Sequence, residues 1–291
     1  MPELPYTSLP IPQDDVTYAY GPDSSPRPGV APGAVHELRL DDSIHFPRTS
    51  RRVWIHTPYG HRDDEPAAVM FFNDGWWYLD PGGDVRAGVV LDNLAAARDL
   101  PPLIGVFVDP GLTQTADGPV KNRNVEYDAF DSRYADLLID EVLPLVAAHH
   151  AVSMDAGAHG ICGGSSGGDA AFTAAWSRPG AFRRALCFNA SFAQMPGGNP
   201  YPKLLRETPR KQLRVMLHAA HRDLGWNRRD DNWFAENLRT AAELAAAGYD
   251  MRLVVGDGGH SPNHGGVLLP DALRWLWREA PGAGRSGALD R

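Results

Sequence analysis

The feature that most constrains this chain is the run Gly-Gly-Ser-Ser-Gly-Gly at positions 163–168. A short apolar segment precedes it at 160–162, and an alanine-rich segment follows at 169–176. Small residues two places before and after a serine permit a very tight turn from a buried strand into a helix. Such a turn lifts the serine hydroxyl clear of the backbone, so the pattern predicts an exposed nucleophile at the end of a central strand.

This motif can be read in two registers. Ser165 is flanked by Gly163 and Gly167, and Ser166 is flanked by Gly164 and Gly168. We favour Ser165, because Gly163 then follows directly on the predicted strand. The run has no lysine and therefore does not match a Walker phosphate loop, and it does not fit the dinucleotide fingerprint.

Apolar runs and helical patterns alternate along the rest of the chain. The predicted strands are 52–56, 68–72, 103–108, 160–162, 185–188, 214–217 and 251–255, with a half-exposed hairpin edge at 35–46; the predicted helices include 131–148, 232–247 and 270–278. Several runs are apolar without alternation, as is typical of strands covered on both faces of a mostly parallel sheet. The sequence predicts a single α/β domain over residues 35–280 with helices on both faces. We expect a proline-rich extended arm at 1–34 and a tail at 281–291.

Two polar residues complete a candidate catalytic set with the serine. Asp223 follows the predicted strand 214–217, and His260 follows the predicted strand 251–255. A serine hydroxyl needs a general base and a group that orients that base, and the order Ser, Asp, His is that of the α/β-hydrolases. We expect Ser165 to be the nucleophile, His260 the base and Asp223 the acid. Asp257, three residues before His260, remains the rival acid.

A zinc site is the alternative interpretation of the histidines near the end of the chain. It would use His218, His221, His260 and His264, but no carboxylate or cysteine completes a known zinc spacing. Pro262 also argues against a helix that carries both of the last two histidines. We expect no metal and no cofactor.

Backbone N–H groups on two turns are the candidates for an oxyanion hole. One is the amide of Ser166, directly after the nucleophile. The other comes from the turn after strand 68–72, where the N–H of Trp76, or that of Gly75 itself, is the candidate. Each such donor is worth about 10²–10³ in rate.

Aromatic and basic residues on two loops are candidates for substrate binding. Trp76 and Trp77 follow strand 68–72, and Arg123 and Tyr127 follow strand 103–108. The aromatic pair would suit a planar or sugar-like group. Packing of Trp77 into the core, and a solvated surface loop at 121–127, remain open as alternatives.

Taken together, these motifs resemble the putative esterase family, which contains enterochelin esterases, feruloyl esterases and mycolyltransferases. The resemblance rests on segments 161–168, 73–76, 123–127, 258–260, 20–24 and 269–277, and it spans roughly residues 15–279. It implies an α/β-hydrolase fold and a serine mechanism with Ser165, His260 and Asp223, with the Trp76 N–H in the oxyanion hole. The family's acid lies on a variable loop, so the acid is the least constrained member here. The short connection between strands 185–188 and 214–217 leaves no room for a large lid.

Charge and composition exclude other classes. The net charge of −8 repels polyphosphate, so we expect no nucleic-acid partner. No apolar run is long enough to span a membrane, and no signal peptide is evident, so we expect a cytoplasmic protein. Cys162 and Cys187 are predicted to be buried small residues rather than redox partners.

The function predicted from the sequence is the hydrolysis of a small, aromatic or sugar-type carboxylic ester. Two alternatives remain open: acyl transfer on the same three residues, and a catalytically silent ligand-binding protein that keeps the fold.

Overall fold

A computed structural model describes residues 16–279 of the chain. The predicted tail at 281–291 and the first part of the predicted arm lie outside the described residues. The strands are β1 (Ala34–Asp41), β2 (Thr49–Thr57), β3 (Ala68–Asn73), β4 (Leu103–Val108), β5 (Leu112–Thr115), β6 (Gly118–Lys121), β7 (His159–Gly164), β8 (Arg184–Phe188), β9 (Arg214–Ala220) and β10 (Asp250–Gly256).

These strands form one sheet in the order β10-β9-β8-β7-β3-β4-β2-β5-β6, with β1 also paired to β2. Pairing is parallel from β10 through β4 and antiparallel around β2 and the β5–β6 hairpin. The carboxyl ends of the parallel strands therefore meet at one edge of the sheet, which is where open α/β sheets bind ligands.

The α-helices are α1 (Gly75–Leu79), α2 (Ala87–Ala97), α3 (Arg123–Tyr127), α4 (Arg133–Leu137), α5 (Leu143–Ala147), α6 (Ser166–Ser177), α7 (Tyr201–Glu207), α8 (Trp233–Ala246) and α9 (Pro262–Trp277), with a π-helical turn (Leu138–Val142) between α4 and α5. The Asn232 side chain caps α8 by accepting a hydrogen bond from the Ala235 N–H at 2.9 Å. Gly248, with φ of 69°, ends this helix as the sequence predicts.

Two apolar cores lie on opposite faces of the sheet. Successive residues of β3 alternate between them, with Val69 and Phe71 in one core and Met70 and Phe72 in the other. Residues of α4 to α8 fill the first core and residues of α1, α2 and α9 fill the second. The prediction of a mostly parallel sheet with helices on both faces and no large lid is confirmed.

The observed elements differ from the predicted ones in three details. The closing helix begins at Pro262 rather than at Pro270, because proline is well tolerated in the first turn of a helix. The helix predicted over 131–148 contains the π-helical turn. The β5–β6 hairpin was missed, although Asp117-Gly118 is a hairpin-turn signal.

Residues 16–33 run against the domain beside the carboxyl edge of the sheet. The Tyr20 hydroxyl donates to the Asp84 carbonyl at 2.7 Å, and the Tyr18 N–H donates to the Asn263 side chain at 2.8 Å. Ser24 is fully buried. This segment is therefore tied to the first turn of α9 and to the loop before α2.

Candidate active site

The site lies where β3, β7, β8, β9 and β10 end. The residues within four positions of the ends of these strands include Asp74, Ser165, Asn189, Asp223 and His260. Parallel pairing brings the strand ends together although the residues are far apart in sequence. The three residues that the sequence singled out as nucleophile, acid and base thus lie at one edge of the sheet.

Ser165 occupies the strained turn between β7 and α6. Its φ of 59° and ψ of −131° lie outside the regions that non-glycine residues favour. The Ser165 N–H donates to the Phe188 carbonyl at 2.9 Å. A Cβ on Gly163 would lie 2.2 Å from the Gly167 carbonyl oxygen, so only glycine fits there. In this structure the turn belongs to the Ser165 register, and Ser166 is the first residue of α6.

His260 is paired with Asp223. Its Nδ1 lies 2.7 Å from Asp223 Oδ1, and the Asp223 side chain is fully buried. The same carboxylate oxygen accepts the Leu224 N–H at 2.7 Å, and the ring of the buried Trp233 packs edge-on against His260 at 4.9 Å. An ionised carboxylate only accepts, so in the neutral imidazole the proton belongs on Nδ1, which leaves Nε2 with its lone pair.

Asp257, the rival acid, lies against the N-terminal segment. Its N–H donates to the Tyr18 hydroxyl oxygen at 2.8 Å, and its carboxylate accepts from that hydroxyl at 3.3 Å. The contact therefore anchors the loop that carries His260 to residues 16–20.

Ser165 and His260 line one pocket. Its volume is about 50 Å³, and its apolar wall includes Trp77, Val85 and Phe188. Trp77 is half exposed, at 47%, so its ring forms part of the rim rather than of the core. The enclosed space is small, and any larger part of a ligand would lie over the open rim.

Arg123 and Tyr127 both act on Asp74, which lies in the pocket wall. The Arg123 guanidinium donates to both carboxylate oxygens of Asp74, at 2.6 and 2.8 Å, and to the Gly164 carbonyl at 3.3 Å. Burial lowers the pKa of Arg123, but its hydrogen bonds and charge pairing with Asp74 outweigh that effect and raise the pKa above its usual value. Tyr127 is fully buried, and its hydroxyl accepts the Asp74 N–H at 3.1 Å. The sequence predicted that Tyr127 contacts the substrate. In the structure its side chain is instead buried and supports Asp74.

The Trp76 side chain is not part of the pocket lining. Its ring packs on Trp54 with centroids 5.7 Å apart, and its N–H donates to Asp109 Oδ1 at 3.2 Å. The predicted oxyanion donor is thus already hydrogen-bonded to a carboxylate in this structure. Its side chain, predicted to bind substrate, is part of an aromatic pair beside β2.

Two asparagines that the sequence analysis did not single out hold the turns of the site together. Asn73 donates to the Gly167 carbonyl at 2.7 Å and accepts from the Tyr134 hydroxyl at 2.7 Å. Asn189, with φ of 46°, accepts the Ala220 N–H at 3.0 Å. Each lies at the end of an apolar run or directly after one. In a parallel sheet this position indicates a residue at the ligand-binding end of the strands, and it could have identified both asparagines.

The zinc arrangement weighed from the sequence is not formed. Among residues 16–279, the histidines His218, His221, His260 and His264 do not bring three ligand atoms within reach of one ion. His264 Nε2 instead lies 2.9 Å from the Val16 carbonyl. Burial lowers the pKa of His218 to about 3, with smaller contributions from His264 and His260. His218 is thus a neutral imidazole whose ring packs against Phe188 and His264.

Comparison with known proteins gives the family. The sheet, with a strained serine between strand and helix, has the α/β-hydrolase fold. A family model described as Putative esterase matches residues 45–276, and the chain belongs to this esterase family. The resemblance to this family noted from the sequence is confirmed. No curated protein matches the chain.

Solved structures with the same fold include two kinds of esterase. The enterobactin esterase from Shigella flexneri, determined in the presence of enterobactin, is 22% identical with a TM-score of 0.71; the match covers 88% of this chain and 61% of that one. The feruloyl esterase module from Clostridium thermocellum, complexed with sinapinate, is 14% identical with a TM-score of 0.65, over 92% of this chain and 96% of the module. This chain therefore spans under two thirds of the enterobactin esterase and nearly the whole feruloyl esterase module.

Two further predictions can be compared with the described residues. Cys162 and Cys187 are free and buried, as predicted. None of the helices described over residues 16–279 has the length and apolar character needed to cross a membrane.

Proposed function

We propose that this protein hydrolyses carboxylic esters through an acyl-enzyme formed on Ser165. The observation that carries the proposal is the 2.7 Å contact between His260 and the buried Asp223, beside a serine held in a strained strand-to-helix turn. His260 Nε2 takes the hydroxyl proton as Ser165 Oγ bonds to the ester carbonyl carbon. The tetrahedral intermediate then collapses, and His260 returns the proton to the departing alcohol.

Water completes the cycle by the same route. It gives a proton to His260 and attacks the acyl carbon. His260 then returns that proton to Ser165 Oγ as the bond to the acyl group breaks, which releases the acid and free Ser165. Asp223 stays ionised throughout; it holds the Nδ1–H and stabilises the imidazolium that forms twice per turnover. The His260 side chain is 27% exposed, which leaves the general base accessible to water.

Ser166 supplies one oxyanion donor in this proposal. It is the first residue of α6, and the first N–H groups of a helix have no partner within the helix. The second donor is the Trp76 N–H, which would exchange Asp109 for the substrate oxygen. The Gly75 N–H, on the same turn, is the alternative.

The pocket supports a small acyl group, with the alcohol or a larger aromatic part over its rim. A volume of about 50 Å³ holds few non-hydrogen atoms. Trp77 is the substrate-contacting residue that we retain, since its half-exposed ring lines this pocket. Arg123 and Tyr127 act through Asp74 as positioning residues.

Hydrolysis of short-chain 4-nitrophenyl esters tests the proposal. We expect an initial burst of 4-nitrophenol and a loss of kcat by at least about 10⁴-fold in Ser165→Ala. Ser177→Ala, at the far end of the same helix, should behave like the wild type. Equal activity in Ser165→Ala and the wild type would contradict the proposal. Ester products formed with added alcohols in place of the free acid would favour acyl transfer.

A further inference from the structure

A second site, unrelated to ester hydrolysis, lies at the opposite edge of the sheet. His61 and Asp63 belong to the loop between β2 and β3, and His150 follows α5. Their three ligand atoms, one from each side chain, all lie within 4.8 Å of one another. Among the residues that the structure describes, this is the one group of three such side chains that could hold a metal ion.

The backbone holds the two parts of this cluster together. The Ala67 N–H donates to the Ala151 carbonyl at 2.9 Å, and the Ser153 N–H donates to the Ala67 carbonyl at 2.8 Å. Segment 150–153 therefore runs beside the end of the loop that carries His61 and Asp63. The Ala151 N–H also donates to Asp63 Oδ1 at 3.2 Å, which orients the carboxylate towards both histidines.

The distances fit a tetrahedral ion. His61 Nε2 lies 3.1 Å from Asp63 Oδ1, and His150 Nδ1 lies 3.2 Å from the same oxygen. Bonds of about 2.0–2.1 Å to a tetrahedral Zn²⁺ place neighbouring ligand atoms about 3.3 Å apart. Two of the three distances between ligand atoms, those from each histidine nitrogen to Asp63 Oδ1, are already near that length. The two imidazole rings form a T-shaped pair with centroids 5.8 Å apart.

Donor chemistry and exposure select the kind of ion. Two imidazole nitrogens and one carboxylate oxygen suit Zn²⁺ and similar borderline cations rather than Ca²⁺ or Mg²⁺, which prefer oxygen ligands. The His61 and His150 side chains are largely buried, at 8% and 19% exposed, whereas Asp63 is 50% exposed. His61 also lines an open cavity of about 430 Å³, through which an ion and its water can enter.

We propose that His61, Asp63 and His150 form a Zn²⁺ site whose fourth position is held by water. The ion replaces the two contacts between the histidines and the carboxylate, and it links the loop before β3 to the end of α5. The site lies at the amino ends of the parallel strands, away from Ser165, and is therefore separate from the proposed esterase site. This proposal does not depend on the proposed esterase function.

Metal titration of the untagged full-length protein tests the proposal. We expect one equivalent of Co²⁺ to bind with the intense visible absorption of a low-symmetry, tetrahedral-like ion, and Zn²⁺ to displace it. At a Zn²⁺ concentration 100 times its Kd, Tm should rise by roughly 5 °C. His61→Ala/His150→Ala should lose both effects.

The matched control is the pair His36 and His149, whose exposed rings also meet edge-on, with centroids 4.7 Å apart. His36→Ala/His149→Ala should bind Co²⁺ like the wild type. Asp63→Asn removes the carboxylate charge but keeps an oxygen for the Ala151 N–H, so it tests the site even if the double alanine variant fails to fold. Wild-type-like binding in Asp63→Asn, loss of binding in the control pair, or no stoichiometric binding by the wild type would overturn the proposal.

Discussion

His260 Nδ1 lies 2.7 Å from Oδ1 of the fully buried Asp223. Asp257, closer in sequence, is instead hydrogen-bonded to Tyr18. The partner of the candidate base is therefore a residue from a different strand end. We therefore expect Asp223 to orient His260 and Asp257 to hold the loop of His260 against Tyr18.

Replacement of the two acids by asparagine should separate their roles. Asp223→Asn no longer fixes the Nδ1–H tautomer or stabilises the imidazolium, so kcat should fall by about 10³–10⁴. Asp257→Asn should lower kcat by less than about 10-fold, since it alters only the Tyr18 contact. Steady-state kinetics on one 4-nitrophenyl ester decides, and a larger loss in Asp257→Asn than in Asp223→Asn would contradict the assignment.

The ion pair between Arg123 and Asp74 should stabilise the turn that carries α1. Arg123→Gln leaves the Asp74 carboxylate, 9% exposed, without its cation, and we expect a loss of about 1–3 kcal/mol in the free energy of unfolding. Asp74→Asn added to Arg123→Gln should recover part of that loss. Arg39→Gln, in an exposed pair with Asp41, is the control and should cost less than about 1 kcal/mol. Equal losses in the two single variants, measured by urea unfolding, would rule out this role.

The buried His218 should make stability depend on pH. Its folded-state pKa of about 3 lies below the ordinary value of 6.5, so between these values the unfolded chain binds a proton that the folded chain does not. The contribution of the neutral His218 to the free energy of unfolding is fully present above pH 6.5 and is lost as the pH falls towards 3. His218→Phe should reduce the slope of unfolding free energy against pH by up to about 1.4 kcal/mol per unit.

Urea titrations between pH 4.5 and 7.5 measure that slope. His149→Phe, at an exposed position, is the matched control and should keep the wild-type slope. An unchanged slope in His218→Phe would show that His218 titrates alike in both states.

The hydroxyl of Tyr18 should help to hold the loop of His260. Tyr18→Phe removes the acceptor of the Asp257 N–H and the donor to its carboxylate, so kcat should fall a few-fold, within about 10-fold. Tyr20→Phe removes a hydroxyl that reaches Asp84 instead and should leave kcat unchanged. Equal kcat values in Tyr18→Phe and the wild type would show that the loop of His260 keeps its position without the Tyr18 hydroxyl.

The sequence predicted the parts of the site that local patterns encode. Gly163 and Gly167 identify the turn, because Gly163 lies so close to the backbone of Gly167 that no side chain fits at position 163. Apolar runs predicted the parallel strands, and the positions after those strands pointed to Asp223 and His260. The order of the residues along the chain and their positions after predicted strands were sufficient to predict the turn and these two candidate residues.

Contacts between distant segments could not be predicted in the same way. The burial of Tyr127 and the packing of Trp76 on Trp54 depend on which side of the sheet α1 and α3 dock. Arg123 looked like a solvent-exposed or substrate-binding residue because its partner Asp74 is far away in sequence. Pro262 argued against a helix that carries both His260 and His264, and α9 does begin at Pro262, after His260. The sequence did not predict that the closing helix extends back to this proline, where no backbone hydrogen bond is lost.

The most direct measurement of the central claim is intact-mass and peptide mass spectrometry after treatment with a fluorophosphonate. We predict a single adduct on Ser165 that is absent in Ser165→Ala and in His260→Ala and is present in Ser177→Ala. An adduct on Ser166 would contradict the register, and folded protein without any serine adduct would contradict the catalytic account as a whole.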